Sequence, residues 1–123
     1  MGLFKKKDAC IDWLTKVDKV YVDALRSNNA RGLERYFSRR CLGRVVEIVN
    51  SNTDNLCGLE RYRDVTYTLH KKLDRGFIYL KKTSYKNVNM GYGVVVPMGD
   101  AKEEYWYIEA NGSDYIVTDI KGV

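Results

Sequence analysis

Proline and histidine are all but missing from this chain: Pro97 and His70 are the only examples among its 123 residues. Ten tyrosines against one proline exclude the Pro-rich, aromatic-poor composition of a disordered segment. One histidine and three cysteines (Cys10, Cys41 and Cys57), with no CxxC spacing, supply no ligand set for a structural zinc and no even framework of disulfides. The thiols read as reduced and partly buried, and no motif calls for a metal or a cofactor. No apolar run approaches the length of about 18 residues that a spanning helix needs. The opening Met1-Gly2-Leu3-Phe4-Lys5-Lys6-Lys7 has no apolar core of a secretory signal. Lys6 stands where N-myristoylation wants Ser or Thr. The compartment these absences imply is the cytoplasm.

What is present suits one small domain. The chain is 45% hydrophobic and 30% charged, enough for one core and one solvated surface. Residues 1–8 read as a basic tail and residues 9–123 as a single domain. The net charge of +5 is modest for a nucleic-acid binder.

From Ala9 to about Ser27 the apolar positions Cys10, Trp13, Leu14, Val17, Val20, Tyr21, Ala24 and Leu25 recur at helical spacing. Asp12, Lys16, Asp18, Lys19 and Asp23 fall off the stripe. Asp8 is the candidate cap. A second helix is expected from Ala30 to Phe37, burying Leu33, Tyr36 and Phe37. Were it continuous to Val49, Arg44 would land in the apolar arc. A break capped by Ser38 removes that conflict and leaves a third helix burying Cys41, Leu42, Val45, Ile48 and Val49. After the polar stretch Asn50–Asn55 the period changes to two. Strands are predicted at Tyr62–Leu69, Phe77–Tyr85, Tyr92–Met98, Glu103–Ala110 and Tyr115–Ile120. Turn residues separate them: Asp74-Arg75-Gly76, Asn87–Gly91, Met98-Gly99-Asp100 and Asn111–Asp114. The connections are too short for crossover helices, so neighbouring strands should be antiparallel. The expected fold is α+β: three N-terminal helices on one face of a curved antiparallel sheet of about five strands. Gly91 and Gly93 read as bulge formers that would curl it, not as a phosphate loop, because no helix follows them.

Val20–Asn29 leading into Leu33-Glu34-Arg35-Tyr36-Phe37, and Glu104–Glu109 followed by Asp114–Ile120, resemble the first helix and last two strands of the nuclear-transport-factor-like superfamily with its cystatin-like cone fold. The extra helix from Arg39 to Val49 resembles the Tim44-like branch, or the accessory domains of bacterial envelope and conjugation proteins. The resemblance implies a cone with a cavity between the first helix and the concave sheet, and a homodimer formed through the sheet.

Trp13, Val17, Tyr21, Tyr67, Tyr79 and Trp106 would line such a cavity, or fill it as core. Ketosteroid isomerase, in the same superfamily, uses a tyrosine at the place of Tyr21 to donate to an enolate oxygen. That chemistry also needs a carboxylate base. The stretch where the base would stand reads Ser38-Arg39-Arg40-Cys41, and Asp64, Glu103 and Asp119 are placed by no motif. No catalytic residue is therefore assigned, and His70 reads as an exposed strand residue. A basic face is the alternative site: Arg31, Arg35, Arg39, Arg40 and Arg44 on the helices, and Lys71, Lys72, Lys81, Lys82 and Lys86 on the first strands. With Tyr62, Tyr67, Tyr79 and Tyr85 interleaved, that face could hold nucleic acid or an anionic surface. The favoured reading is a non-enzymatic binding or interaction domain whose partner is a protein or a small apolar ligand, through the pocket or an exposed sheet face.

Overall fold

The computed structural model describes residues 9–27, 29–51, 63–85, 88–89, 95–96, 102–112 and 114–123. The tail, the Asp8 cap, Cys57 and Lys86 lie outside the described residues, as do Gly91 and Gly93. Helix α1 spans Ala9–Ser27 and helix α2 spans Arg39–Ser51. The strands are β1 (Arg63–Leu73), β2 (Gly76–Tyr85), β3 (Val88–Asn89), β4 (Val95–Val96), β5 (Lys102–Asn111) and β6 (Asp114–Gly122). The fold is α+β: two helices packed with a four-stranded antiparallel sheet in the order β1-β2-β5-β6. No helix among the described residues is long and apolar enough to cross a membrane.

The α1 stripe forms as its spacing requires, with Cys10, Leu14, Val17, Ala24 and Leu25 buried. The Asn29 amide closes the helix by donating to the Ala24 carbonyl at 3.0 Å. The expected second helix is only a 3-10 turn, Leu33–Arg35. Two local features explain this correction. Gly32, just before the turn, is left-handed at φ 96°, a conformation that interrupts a right-handed helix. Beyond the turn, Phe37 is claimed by the sheet through a parallel bridge to Val117. The Val117 amide donates to the Tyr36 carbonyl and the Ser38 amide to the Val117 carbonyl, both at 2.8 Å. Those backbone groups cannot also continue a helix. Ser38 then caps α2 as its position suggests: its Oγ accepts from the Cys41 amide at 3.3 Å.

The expected sheet of about five strands has four. Of the stretch Tyr92–Met98 only Val95–Val96 is described as strand, and it pairs with Val88–Asn89 in a separate two-stranded ladder. β2 pairs directly with β5. Two irregularities interrupt the main ladder. One between Leu69 and Lys71 leaves His70 without a partner across the strand, and one between Tyr107 and Ile108 does the same for Thr118. An extra residue on one strand bends it and increases local twist.

α1 lies across the inner face of the sheet. The Tyr67 hydroxyl donates to the Leu14 carbonyl at 3.2 Å, and Trp13 reaches Tyr115 of β6 with ring centres 5.5 Å apart. α2 packs against β6. Leu33, Phe37, Val45, Val49, Tyr79, Trp106, Ile108 and Val117 join the α1 stripe in one core. Each such fully buried side chain contributes roughly 1.5–3 kcal/mol before the entropy of ordering it is subtracted.

Candidate ligand cavity

Strand alternation sets the site. On β2, Tyr79, Lys81 and Thr83 share the inner face, and on β5 so do Glu104, Trp106 and Ile108. The ladder places Tyr79 beside Trp106, Lys81 beside Glu104 and Thr83 beside Lys102. Tyr79, Trp106 and Ile108 are buried in the core. Toward the Thr83 end the layers leave a gap. A cavity of about 170 Å³ opens between Tyr21 and Leu25 of α1, Cys41, Val45 and Ile48 of α2, Phe37, and the sheet residues Lys81, Thr83, Trp106 and Ile120. Arg44, Lys102, Glu104 and Gly122 complete its lining. Arg44 and Lys102, with side chains 66% and 56% exposed, mark the end that meets water.

The strongest electrostatic feature is Lys81, whose side chain is 2% exposed. Its Nζ donates to Asp18 Oδ1 at 2.8 Å. It also lies 4.2 Å from the centre of the Trp106 ring, 5.6 Å from that of Tyr21 and 5.9 Å from that of Tyr67. A carboxylate and three ring faces within about 6 Å all favour the ammonium form. The basic-face reading counted Lys81 among surface lysines; it is instead an internal cation under the cavity. Asp18, off the helical stripe in sequence, is drawn inward with it to 14% exposure.

The other charged groups of the lining are paired as well. Lys102 Nζ is 3.8 Å from Glu104 Oε2. Arg44 Nη1 is 3.4 Å from Asp119 Oδ1 and donates to the Ile120 carbonyl at 3.1 Å, tying α2 to β6. Cys41 is buried in the wall. Desolvation pushes its thiol up to about 11, with the Asp119 charge adding to the rise and Arg44 opposing it. Trp106 is 3% exposed. Its Nε1 is the one buried side-chain nitrogen or oxygen among the described residues without a hydrogen-bond partner.

The residues singled out from sequence divide three ways. Tyr21 and Trp106 line the cavity. Val17 and Tyr79 are core, and half-buried Tyr67 borders the Lys81 ammonium. Trp13 lines a second, more open hollow with Arg35, Tyr36, Asn111, Asp114, Tyr115 and Ile116. Near Tyr21 the acids are Asp18 and Glu104, each in an ion pair. His70 is exposed on the opposite face of the sheet, its ring centre 4.7 Å from that of Tyr105.

The arginines and lysines of the basic reading are brought together only in part. Arg31, Arg35, Arg39, Arg40, Arg44, Lys71 and Lys72 are all exposed. However, α2 packs on β6 while Lys71 and Lys72 belong to β1, the other outer strand. Three strand spacings, about 14 Å, separate those two edges.

Of the lining, sequence reasoning placed Tyr21 and Trp106 at a cavity, put Arg44 and Lys81 on a basic face instead, and assigned Phe37, Cys41, Val45, Thr83 and Ile120, among others, to no site. The signal for Lys81 was available: it is two residues from Tyr79 on one strand, so the two share a face. No protein-family model matches the chain, and neither does any curated protein or solved structure.

Proposed function

We propose that this chain is a non-enzymatic binding domain of the cone-fold type, taking a small, mainly apolar ligand between its helices and the inner face of its sheet. The observation that carries the reading is the cavity of about 170 Å³ walled by Tyr21, Leu25, Phe37, Val45, Ile48 and Trp106. A core close-packed for stability alone leaves no such space. An apolar cavity of about 150 Å³ is known to admit benzene, so this one suits a ligand of about one ring. The reading is non-enzymatic because the groups suited to proton transfer, Asp18, Glu104 and Lys81, are held in ion pairs within the protein.

The test is a titration with benzene, followed by the melting temperature and by the fluorescence of Trp106, with Trp13→Phe removing the other indole. Saturable stabilisation with a change in Trp106 emission is the expected result. A melting temperature and an emission spectrum that benzene leaves unmoved sink the proposal.

A further inference from the structure

The second hollow brings two charges of opposite sign beside a wall of rings. Trp13 of α1 meets both other rings, its centre 6.2 Å from that of Tyr36 and 5.5 Å from that of Tyr115. All three side chains are half-buried and line an open hollow of about 440 Å³. Arg35, from the 3-10 turn, and Asp114, at the start of β6, line the same hollow and are exposed. Neither side chain has a hydrogen bond or an ion pair among the described residues. No residue is common to this lining and that of the cavity, so the two sites stand or fall separately. We propose that the hollow binds a free aromatic amino acid as its zwitterion. The ligand's ring lies on the Trp13–Tyr36–Tyr115 wall, its carboxylate accepts from the Arg35 guanidinium, and its ammonium donates to the Asp114 carboxylate. Each part has a physical reason. An aromatic ring on aromatic side chains gains from ring–ring geometry as well as from area. A guanidinium offers two parallel N–H donors that match a carboxylate. An ionised Asp only accepts, so its complement is a donor, and a cationic donor adds charge attraction. A purely anionic ligand would meet Asp114 in the same hollow, and a purely cationic one would meet Arg35. A ligand with both signs at one end satisfies both groups. Because the hollow is open, that end keeps part of its hydration, and the desolvation penalty of a closed ionic site is avoided.

The experiment titrates the 15N-labelled full chain at neutral pH with L-phenylalanine, 3-phenylpropionate and 2-phenylethylamine, which share the ring and differ in charge. The readout is the Trp13 indole resonance in 1H–15N NMR, assigned with Trp13→Phe. L-phenylalanine should shift it saturably and bind more tightly than either analogue, by about two- to fivefold for each missing ionic contact. Arg35→Gln should weaken L-phenylalanine and 3-phenylpropionate by about that factor and leave 2-phenylethylamine no weaker. Asp114→Asn should weaken L-phenylalanine and 2-phenylethylamine and leave 3-phenylpropionate no weaker. Both positions are exposed, and an unchanged melting temperature confirms that each variant folds. The crossed pattern is one that a merely structural role would not produce. A Trp13 resonance that L-phenylalanine leaves in place overturns the proposal. So does an analogue that binds as tightly as L-phenylalanine, or a substitution that weakens all three ligands alike. Benzene binding in the cavity is unaffected by any of these outcomes.

Discussion

Lys81 shows how a residue's role depends on which face of a strand it occupies. In sequence Lys81-Lys82 reads as a surface pair. In the fold Lys82 is exposed and Lys81 is buried against Asp18. Removing one member of such a pair strands the other. Asp18→Asn should therefore lower unfolding stability in urea by about 3–5 kcal/mol, whereas Lys81→Met combined with Asp18→Leu should recover most of that loss. A double variant no more stable than Asp18→Asn would show that the pair acts through something other than charge compensation. Cys41 gives a second residue-scale outcome. Below pH about 9 its thiol is neutral in both folded and unfolded chains. Between about 9 and the folded value of about 11, the unfolded chain loses the proton while the folded one keeps it. The folded state then binds more protons, so stability falls as pH rises through that window. The loss attributable to Cys41 should reach about 2–3 kcal/mol by the top of the window, read as the difference between wild type and Cys41→Ala across a pH series. Parallel curves for the two proteins would contradict it.

Among the elements, the helices and hairpins were legible where one local signal decides and illegible where a distant partner does. The α1 stripe, the Ser38 cap and the Asn111–Asp114 turn are local, and each forms; Gly112 takes the positive φ of 65° that a tight hairpin turn demands. The stretch Ala30–Phe37 looked helical because Leu33, Tyr36 and Phe37 are helically spaced. Nothing in that spacing shows that Val117, eighty residues on, will claim the backbone around Phe37. The interruptions of the main ladder were not legible either: they fall at His70 and Thr118, residue types that carry no bulge signature. Gly76 was read only as a turn residue, yet a closer constraint acts on it. A Cβ there would fall on the carbonyl oxygen of Ile108, a backbone atom with no freedom to move aside. Gly76→Ala should force β2 away from β5 and destabilise the fold by about 1–3 kcal/mol or more. Urea denaturation measures this, and a neutral substitution would mean that the two strands are less closely apposed than the structure has them.

For the whole molecule, the question is why the layers leave a gap beside Thr83. At the Tyr79 end, Leu14, Val17, Ile108 and Val117 fill the space between layers. At the Thr83 end the inner face carries Lys81, Thr83 and Glu104, polar groups where apolar ones stand beside Tyr79. On the proposed reading, the packing forgone there is exchanged for ligand binding. The α+β order and the candidate wall residues Tyr21 and Trp106 could be read from sequence. The position of the gap could not, because it depends on where α2, tied to β6 by Arg44, comes to lie. Filling the gap tests the exchange directly. Val45→Phe places a ring in the cavity from the α2 side, away from the Lys81–Asp18 pair. It should raise unfolding stability by about 0.5–2 kcal/mol and abolish the benzene-induced rise in melting temperature. If benzene still stabilises Val45→Phe, the ligand enters elsewhere. The hollow bordered by Trp13, Arg35, Tyr36 and Tyr115 would then be the place to look, with Tyr36→Ala as the variant that should lose the effect.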